Sequence, residues 1–308
     1  MPKVSICIPT YNNLEAFKRC FRSILSQSYT DYEVVITDDS TNEDIRDFIS
    51  KYSSKNIHYY KNKKQLGSPE NWNESIRKAK GNFIKILHHD DWFTYNGSLE
   101  VFVQLLEKNP ESLLAFVGSK NIDLKSNRII NYNRPSEQKI EEIKSSPITL
   151  LNGNFIGAPS ATIFRNIDSA TFDAKTIWYV DIDFYIQLLI KNSNLIYSDI
   201  DAISIGTSST QITKNVENDK KINIFEYFYL LNKWGVKKII GSVVENNTFL
   251  HLKKFNIKNS NDIKTLGYTG SLPNDLYQLF IKIFLLKLKE KIQSKVRKIL
   301  QTFTHSRI

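Results

Sequence analysis

The amino-acid sequence predicts an α/β protein: a Rossmann-like, mainly parallel sheet flanked by helices, followed by a C-terminal helical extension. Three observations lead to this fold class. The first third of the chain alternates between short apolar runs of strand length and segments with apolar residues at helical spacing. Hydrophobic residues make up 41% and charged residues 24% of the 308 positions, as in a globular protein with a sizeable core. Beyond residue 216 the spacing is mainly helical.

Five apolar runs are predicted as strands, at residues 4–8, 33–37, 57–60, 83–87 and 113–117. Helices are predicted between them. Such strand–helix alternation places strands side by side in parallel, with helices covering both faces of the sheet.

The helices between these strands are expected to begin at caps. Asn12 or Asn13 would cap the first helix. Thr41 would open the second in a capping box, and Ser68 would cap the third, with Pro69 in its first turn.

The middle of the chain has a weaker pattern. Residues 120–150 are mostly polar. A loop then leads into a short strand at 161–164, and a helix is predicted at 181–191.

The chain is predicted to form two domains. Residues 214–221 are polar and charged, as in a linker, so we divide the chain into residues 1–215 and residues 216–308. Within the second domain, helices are expected at 224–234 and 273–303.

The net charge is +10 and the sequence pI about 9.3, which indicates an anionic partner: nucleic acid, a membrane surface or a phosphorylated ligand. The two cysteines, Cys7 and Cys20, provide no disulfide framework and fit a reducing, cytoplasmic compartment. We expect no signal peptide and no spanning helix, because no run of about 18 apolar residues exists.

Polar clusters directly follow three of the predicted strands, at residues 9–12, 38–40 and 88–91. Ligands of open α/β sheets bind beyond the carboxyl ends of the strands, so these clusters are the candidate site. Of the pair Asp38-Asp39, one could bind a base or ribose or could equally cap the next helix.

The run His88-His89-Asp90-Asp91 contains metal-ligating residue types. If the chain is extended there, His88 and Asp90 share a face, whereas His89 points the other way and could be structural. Imidazole with carboxylate suits Mn²⁺ or another divalent ion whose remaining ligands come from a diphosphate. The alternative is a polar turn.

Asp181 and Asp183 lie near a predicted helix start. They could be an N-cap and a first-turn acid, or one of them could be a general base, and spacing alone does not decide. Phosphate-binding motifs of the Gly-x-Gly-x-x-Gly and P-loop types are absent, which argues against those dehydrogenases and NTPases.

Taken together, these clusters resemble the family 2 glycosyltransferases of the GT-A fold, over about residues 3–213. The opening run that ends in Pro9-Thr10-Tyr11-Asn12 is its most specific element. The resemblance implies that these four residues bind the sugar donor and that Asp39 contacts the nucleotide base.

Further positions follow from the same resemblance. It puts Asn73, His88 and His89 on the donor side, and Asp90 at the metal-ligating end of the Asp-x-Asp motif, whose first aspartate is His88 here. Trp72 stands where many members carry arginine.

On the acceptor side, residues 157–165 resemble the acceptor loop and strand. Asp181 matches the aspartate of the family's Glu-Asp base motif, with Val180 in place of the glutamate, which makes Asp181 the expected base. Residues 210–213 resemble the end of a loop that often closes over the diphosphate.

The resemblance therefore implies an inverting glycosyltransferase dependent on Mn²⁺ or Mg²⁺. Its donor would be a nucleotide-sugar, in particular a UDP-sugar, and its acceptor a hydroxyl of a growing surface glycan or lipid-linked oligosaccharide. The alternative is a catalytically impaired nucleotide- or membrane-binding module of the same fold, since His88 and Val180 depart from the motifs.

The C-terminal segment concentrates the positive charge. Between residues 282 and 298 there are seven Lys or Arg residues and one acid, Glu290, a net +6, on an amphipathic helix. Such a helix can lie on an anionic membrane, which would place the protein on the inner face of the cell membrane. In the alternative, its apolar stripe packs on the main domain. No motif supports nucleic-acid binding.

Overall fold

A computed structural model describes residues 1–168, 170–207 and 216–305, with side chains as far as Arg297. The chain forms two compact units, Met1–Glu217 and Asn218–Ile308. The segment 210–213, predicted to lie over the diphosphate, is outside the described residues.

The described part of the first unit contains nine strands. They are β1 (Val4–Thr10), β2 (Tyr32–Asp38), β3 (Ile57–Lys61), β4 (Phe83–Ile86), β5 (Trp92–Phe93), β6 (Leu114–Asp123), β7 (Arg128–Asn133), β8 (Thr162–Arg165) and β9 (Ile196–Thr207).

These strands form one mostly parallel sheet in the order β3-β2-β1-β4-β8-β6-β9-β5, with β7 paired to β6. Strands β1 to β4 are parallel, as are β6 and β9. Strand β8 is antiparallel to both β4 and β6, and β5 is antiparallel to β9. The predicted mainly parallel α/β fold is confirmed.

Helices flank the sheet: α1 (Leu14–Leu25), α2 (Asp44–Ile49), α3 (Glu70–Lys78), α4 (Ser98–Glu107), α5 (Glu137–Ser145) and α6 (Val180–Lys191). All seven residues of β1 are buried, and its apolar side chains share a core with residues from α1 and α4, as expected for a parallel strand covered by helices.

One of the three predicted caps is confirmed. The side chain of Asn13 accepts a hydrogen bond from the Ala16 N–H and begins α1. The capping box at Thr41 was wrong, because the Thr41 hydroxyl and N–H both bind Asn12 Oδ1, and α2 begins after Glu43 without a side-chain cap.

The prediction of Ser68 as a cap was also wrong. Helix α3 begins at Glu70, and Pro69 occupies the cap position without a side-chain hydrogen bond.

The second unit contains α7 (Lys220–Lys233), α8 (Glu245–Lys254), α9 (Ser260–Thr265) and α10 (Leu276–His305) among its described residues. Helix α7 therefore begins inside the segment predicted as a linker. None of the helices in the described ranges is both long enough and apolar enough to cross a membrane.

Candidate active site

The ends of β1 and β2 are joined by hydrogen bonds. The Asp39 N–H donates to the Thr10 carbonyl oxygen at 3.0 Å, and the Asn12 N–H donates to Ser40 Oγ at 2.8 Å. Asn12 has φ +53°, a left-handed conformation that asparagine tolerates better than most residues. This turn leaves the ring of Tyr11 44% exposed, at the surface where a planar base could stack.

The end of β4 reaches the same edge of the sheet. Nδ1 of His89 lies 3.4 Å from the carbonyl oxygen of Pro9. Because β2, β1 and β4 are neighbours in the sheet, the three polar clusters predicted from the sequence lie together at its carboxyl edge. The sequence predicts that His89 points away from His88. The contact with Pro9 directs the His89 ring toward β1.

The two aspartates after β2 have different surroundings. Asp38 is fully buried and accepts hydrogen bonds from the Tyr59 hydroxyl at 2.6 Å and from Lys61 Nζ at 3.3 Å, so its carboxylate fixes β2 to β3. Burial and the hydrogen bond to Asp38 raise the pKa of Tyr59, which keeps the phenol protonated as a donor.

The Asp39 carboxylate organises the loop before α3. It accepts hydrogen bonds from Asn62 Nδ2 at 2.6 Å, from the Leu66 N–H at 3.1 Å and from the Gly67 N–H at 2.7 Å. The Leu66 N–H is shared between both carboxylate oxygens, so each oxygen already accepts two hydrogen bonds from the protein. A base N–H would therefore share an oxygen that also binds this loop.

Asn73 lies on α3 and is buried. Its side-chain oxygen accepts the Phe172 N–H at 2.9 Å, and its side-chain nitrogen donates to the Phe172 carbonyl at 2.9 Å and to Glu70 at 3.1 Å. The amide therefore clamps the segment before α6 to α3, and its two N–H groups both have protein partners.

His88 is packed beneath the aromatic ring of Trp72, with 4.5 Å between ring centroids. Burial lowers the pKa of His88 to about 4, so the imidazole is neutral at pH 7. Within the part of the chain that the structure describes, its Nε2 is buried without a hydrogen-bond partner, and its Nδ1 lies 3.9 Å from Asp91 Oδ2. An unpartnered neutral nitrogen is the form of histidine that ligates a metal or accepts a hydrogen bond.

The fit of a divalent cation depends on Asp90 and His88. No group of three His, Cys, Asp or Glu side chains within the described ranges could hold a metal ion. A carboxylate from Asp90, with or without the unpartnered Nε2 of His88, instead suits Mg²⁺ or Mn²⁺ that takes most of its ligands from a diphosphate and water. The residues present fit that kind of cation.

Asp181 lies at the second position of α6 and is not its cap, since Tyr179 precedes the helix there. Its Oδ1 is buried and has no hydrogen-bond partner among the described residues. Burial raises the pKa of Asp181 to about 7. One turn further along, the hydroxyl of Tyr185 donates to the Gly157 carbonyl at 2.9 Å and so fixes the loop predicted to meet the acceptor. A buried carboxylate with a pKa near neutrality suits a general base.

Sequence reasoning missed a buried network behind the site. Lys85 is fully buried in β4, and its Nζ donates to the carbonyl oxygens of Ser160 and of Ile86. Burial lowers the pKa of Lys85 to about 7. The Ser160 hydroxyl accepts the His88 N–H at 3.0 Å and donates to Asp91. The sequence signal that could have revealed this network is the presence of a lysine, Lys85, within an otherwise apolar strand.

The backbone of Asp90 is held by contacts with two other segments. Arg19 Nη2 donates to the Asp90 carbonyl oxygen at 3.1 Å, and its guanidinium lies 4.2 Å from the centroid of the Trp92 ring. Gly206 lies so close that a Cβ there would be 2.4 Å from the same carbonyl. The backbone of the predicted metal ligand is therefore fixed from two sides.

Comparison with known proteins gives a family match over this unit. The model for glycosyl transferase family 2 matches residues 5–170. An uncharacterized glycosyltransferase of Methanocaldococcus jannaschii is 26% identical over 242 residues, which cover 77% of this chain and 81% of the relative. The GalNAc(5)-diNAcBac-PP-undecaprenol beta-1,3-glucosyltransferase of Campylobacter jejuni is 22% identical over 243 residues, 72% of this chain and 77% of that enzyme.

Solved structures show the same fold. S. aureus TarS 1-349 in complex with UDP-GlcNAc aligns with a TM-score of 0.55 at 16% identity, over 86% of this chain and 83% of that one. Against the longer S. aureus TarS structure the TM-score is 0.56 at 18% identity, over 84% of this chain and 44% of TarS. The chain thus spans less than half of that longer chain.

Proposed function

This chain belongs to glycosyl transferase family 2, and we propose that it moves a sugar from a UDP-sugar to a hydroxyl of a growing surface glycan or lipid-linked oligosaccharide, with inversion. Hexoses or N-acetylhexosamines are the sugars we propose. The family match supports the transfer reaction, and the UDP-GlcNAc bound to S. aureus TarS supports the donor class. The name of the Campylobacter relative supports a lipid-linked acceptor.

In the proposed reaction, Asp181 removes the proton from the acceptor hydroxyl. The acceptor oxygen then attacks the anomeric carbon, and the bond from that carbon to the diphosphate oxygen breaks, with its electron pair leaving on UDP. A single displacement of this kind inverts the anomeric configuration. The unpartnered, buried Oδ1 of Asp181 is the observation that carries this proposal, because it combines an available lone pair with a pKa near 7.

On the donor side, we propose that the base stacks on Tyr11 and that Asp39 accepts a hydrogen bond from it. Asp90, with His88 beside it, would hold Mn²⁺ or Mg²⁺, which when bound neutralises charge on the leaving diphosphate. Arg19 and Gly206 fix the backbone of Asp90 before the donor arrives.

The donor is tested by thermal unfolding with UDP-sugars, with and without Mn²⁺. We expect a UDP-sugar with Mn²⁺ to raise the unfolding temperature of the wild type and of Asp181→Asn, because a ligand bound to the native state stabilises that state. The unfolding temperature of Asp90→Ala should not rise, because this variant lacks the proposed metal ligand. Equal stabilisation of Asp90→Ala would contradict the assigned metal position.

The alternative, a module that binds donor without turnover, is favoured by the replacement of motif residues at His88 and Val180. It predicts stabilisation by UDP-sugars but no release of UDP across a broad acceptor panel. Release of UDP with a verified acceptor, lost in Asp181→Asn, excludes it.

We further propose that the protein acts at the inner, cytoplasmic face of the cell membrane, as a peripheral protein. A lipid-linked acceptor is confined to a membrane surface, so an enzyme held there meets it at high effective concentration.

A further inference from the structure

Helix α10 has apolar residues on two opposite faces, of which one is buried. Leu276, Leu279 and Ile283 are at most 3% exposed. Successive residues of a helix are separated by about 100°, which puts a second apolar face on the other side. That exposed stripe consists of Tyr277 (57% exposed), Ile281 (53%), Phe284 (66%), Leu285 (55%), Leu288 (44%), Ile292 (54%) and Val296 (49%). The described residues of its own unit therefore leave this stripe uncovered.

The two halves of α10 differ in what they bury. The first half is fixed by its buried face and by Lys287 Nζ, which donates to Asn256 Oδ1 at 2.6 Å. From Lys287 to Arg297 every side chain is exposed, although Leu288, Ile292 and Val296 are large and apolar. A contiguous exposed apolar surface of this kind marks an interaction site.

Cations border the exposed stripe on both sides. By the helical periodicity, Lys282 and Lys289 lie along one border, and Lys291 and Lys295 along the other. Lys289, Lys291 and Lys295 have no ion-pair partner in the described part of the chain. The one acid of this segment, Glu290, lies on the opposite side of the helix, 3.7 Å from Lys253.

The distribution of charge decides between two occupants of the stripe. In a coiled coil of two copies, residues bordering the apolar seam face their counterparts and pair favourably when their charges are opposite. Lys282 pairs with Glu245 of α8, 3.5 Å away. The other border residues, Lys289, Lys291 and Lys295, would face lysines, and α10 has no acid on its stripe borders to pair with them. An anionic lipid surface instead accepts the apolar side chains among the acyl chains and the lysines among the phosphate groups.

We propose that the exposed stripe of α10 lies flat in an anionic membrane, with Ile281, Leu285, Leu288 and Ile292 inserted and Lys289, Lys291 and Lys295 bound to lipid phosphates. This deepens the proposed location by naming the surface that binds and its chemistry. The surface shares no residue with the set assigned to sugar transfer.

The test is flotation of the full chain with vesicles of phosphatidylcholine, with or without phosphatidylglycerol. We expect binding to the phosphatidylglycerol vesicles that weakens as salt is raised, and little binding to phosphatidylcholine alone. Each basic residue contributes about fivefold in affinity, so changing Lys289, Lys291 and Lys295 together to Gln should weaken binding about a hundredfold.

The matched control changes Lys237, Lys258 and Lys264 to Gln, which removes the same charge from exposed positions of the same unit. It should bind within about twofold of the wild type, whereas a double change of Leu288 and Ile292 to Ser should abolish binding. Equal losses in both triple variants, or no binding by the wild type, would overturn the proposal.

Self-association is separated by sedimentation. The proposal would be overturned if the wild type formed a stable oligomer and did not bind vesicles, and if the changes Leu288→Ser and Ile292→Ser dissociated that oligomer. The stripe would then be an interface with a second copy of the chain. Vesicle binding needs neither donor nor acceptor, so its outcome is independent of sugar transfer. Conversely, transfer to a water-soluble acceptor should be unchanged in the lysine variant.

Discussion

The hydroxyl oxygen of Ser160 lies 3.0 Å from the backbone nitrogen of His88 and accepts its hydrogen bond. The same hydroxyl donates to Asp91, and the Ser160 carbonyl accepts from the buried Lys85 ammonium. One serine thus joins the loop predicted to meet the acceptor to the turn that carries the proposed metal ligand.

Ser160→Ala is expected to slow transfer and to lower the free energy of unfolding by about 1–3 kcal/mol, because it leaves a buried N–H and carboxylate short of a partner. The measurements are urea unfolding and the rate of UDP release. Ser112→Ala is the matched control: Ser112 is fully buried, but its hydroxyl has no hydrogen-bond partner in the described ranges, so little should change. Similar losses in both variants would show that Ser160 has no special role.

Gly206→Ala tests the close approach at Asp90. The added Cβ would lie 2.4 Å from the Asp90 carbonyl oxygen, so the backbone must move. We expect a loss of about 1–3 kcal/mol in stability and weaker Mn²⁺-dependent stabilisation by a UDP-sugar. Gly97→Ala is the control, since its Cβ would meet only the ring of Tyr95, at 3.2 Å. Unchanged donor binding in Gly206→Ala would separate Asp90 from the donor site.

Asn73→Ala removes the clamp on Phe172. Two buried hydrogen bonds to the Phe172 backbone are lost, so the free energy of unfolding should be about 1–3 kcal/mol lower than in the wild type. Urea unfolding measures this, with Asn42→Ala as an exposed control. A stable Asn73→Ala protein that has lost UDP affinity would assign the residue to donor binding alone.

The sequence predicted much of the fold because the first half of the sheet obeys simple rules. Strands β1, β2 and β4 are buried on both faces and therefore read as continuous apolar runs. Strand β7 was missed because five of its six residues are exposed, and β9 because the exposed Asp199 and the half-buried Asp201 interrupt its apolar run.

The sequence predicted the strand-end residues of the site but not the contacts that hold them, for a related reason. Residues at strand ends are recognisable, because the carboxyl edge of a parallel sheet is where ligands bind. The contacts of Ser160, Arg19 and Gly206 join segments 70 or more residues apart, and local pattern carries no information about such pairs. The unpartnered oxygen of Asp181 likewise depends on tertiary burial.

The pKa of Asp181 also predicts a pH-dependent effect on stability. Its pKa is about 7 in the folded protein, against an ordinary aspartate value of 3.8. The folded state therefore holds the proton more tightly, and the stability this provides is lost as pH rises from about 4 through 7. At pH 8, urea unfolding should give Asp181→Asn a higher free energy of unfolding than the wild type, by on the order of 1–4 kcal/mol. A difference that is the same at pH 4 and pH 8 would contradict the raised pKa.

The most direct test of Asp181 as the base is the pH dependence of sugar transfer, with a verified acceptor, between pH 5 and 9. The wild-type rate should rise about tenfold per pH unit below pH 7 and level off above it, as the carboxylate loses its proton. Asp181→Asn should lose about 10²–10⁴-fold in rate together with this inflection, while Asp44→Asn, an exposed first-turn aspartate of α2, keeps both. Wild-type rates in Asp181→Asn, or an inflection that persists near pH 7, would contradict the account.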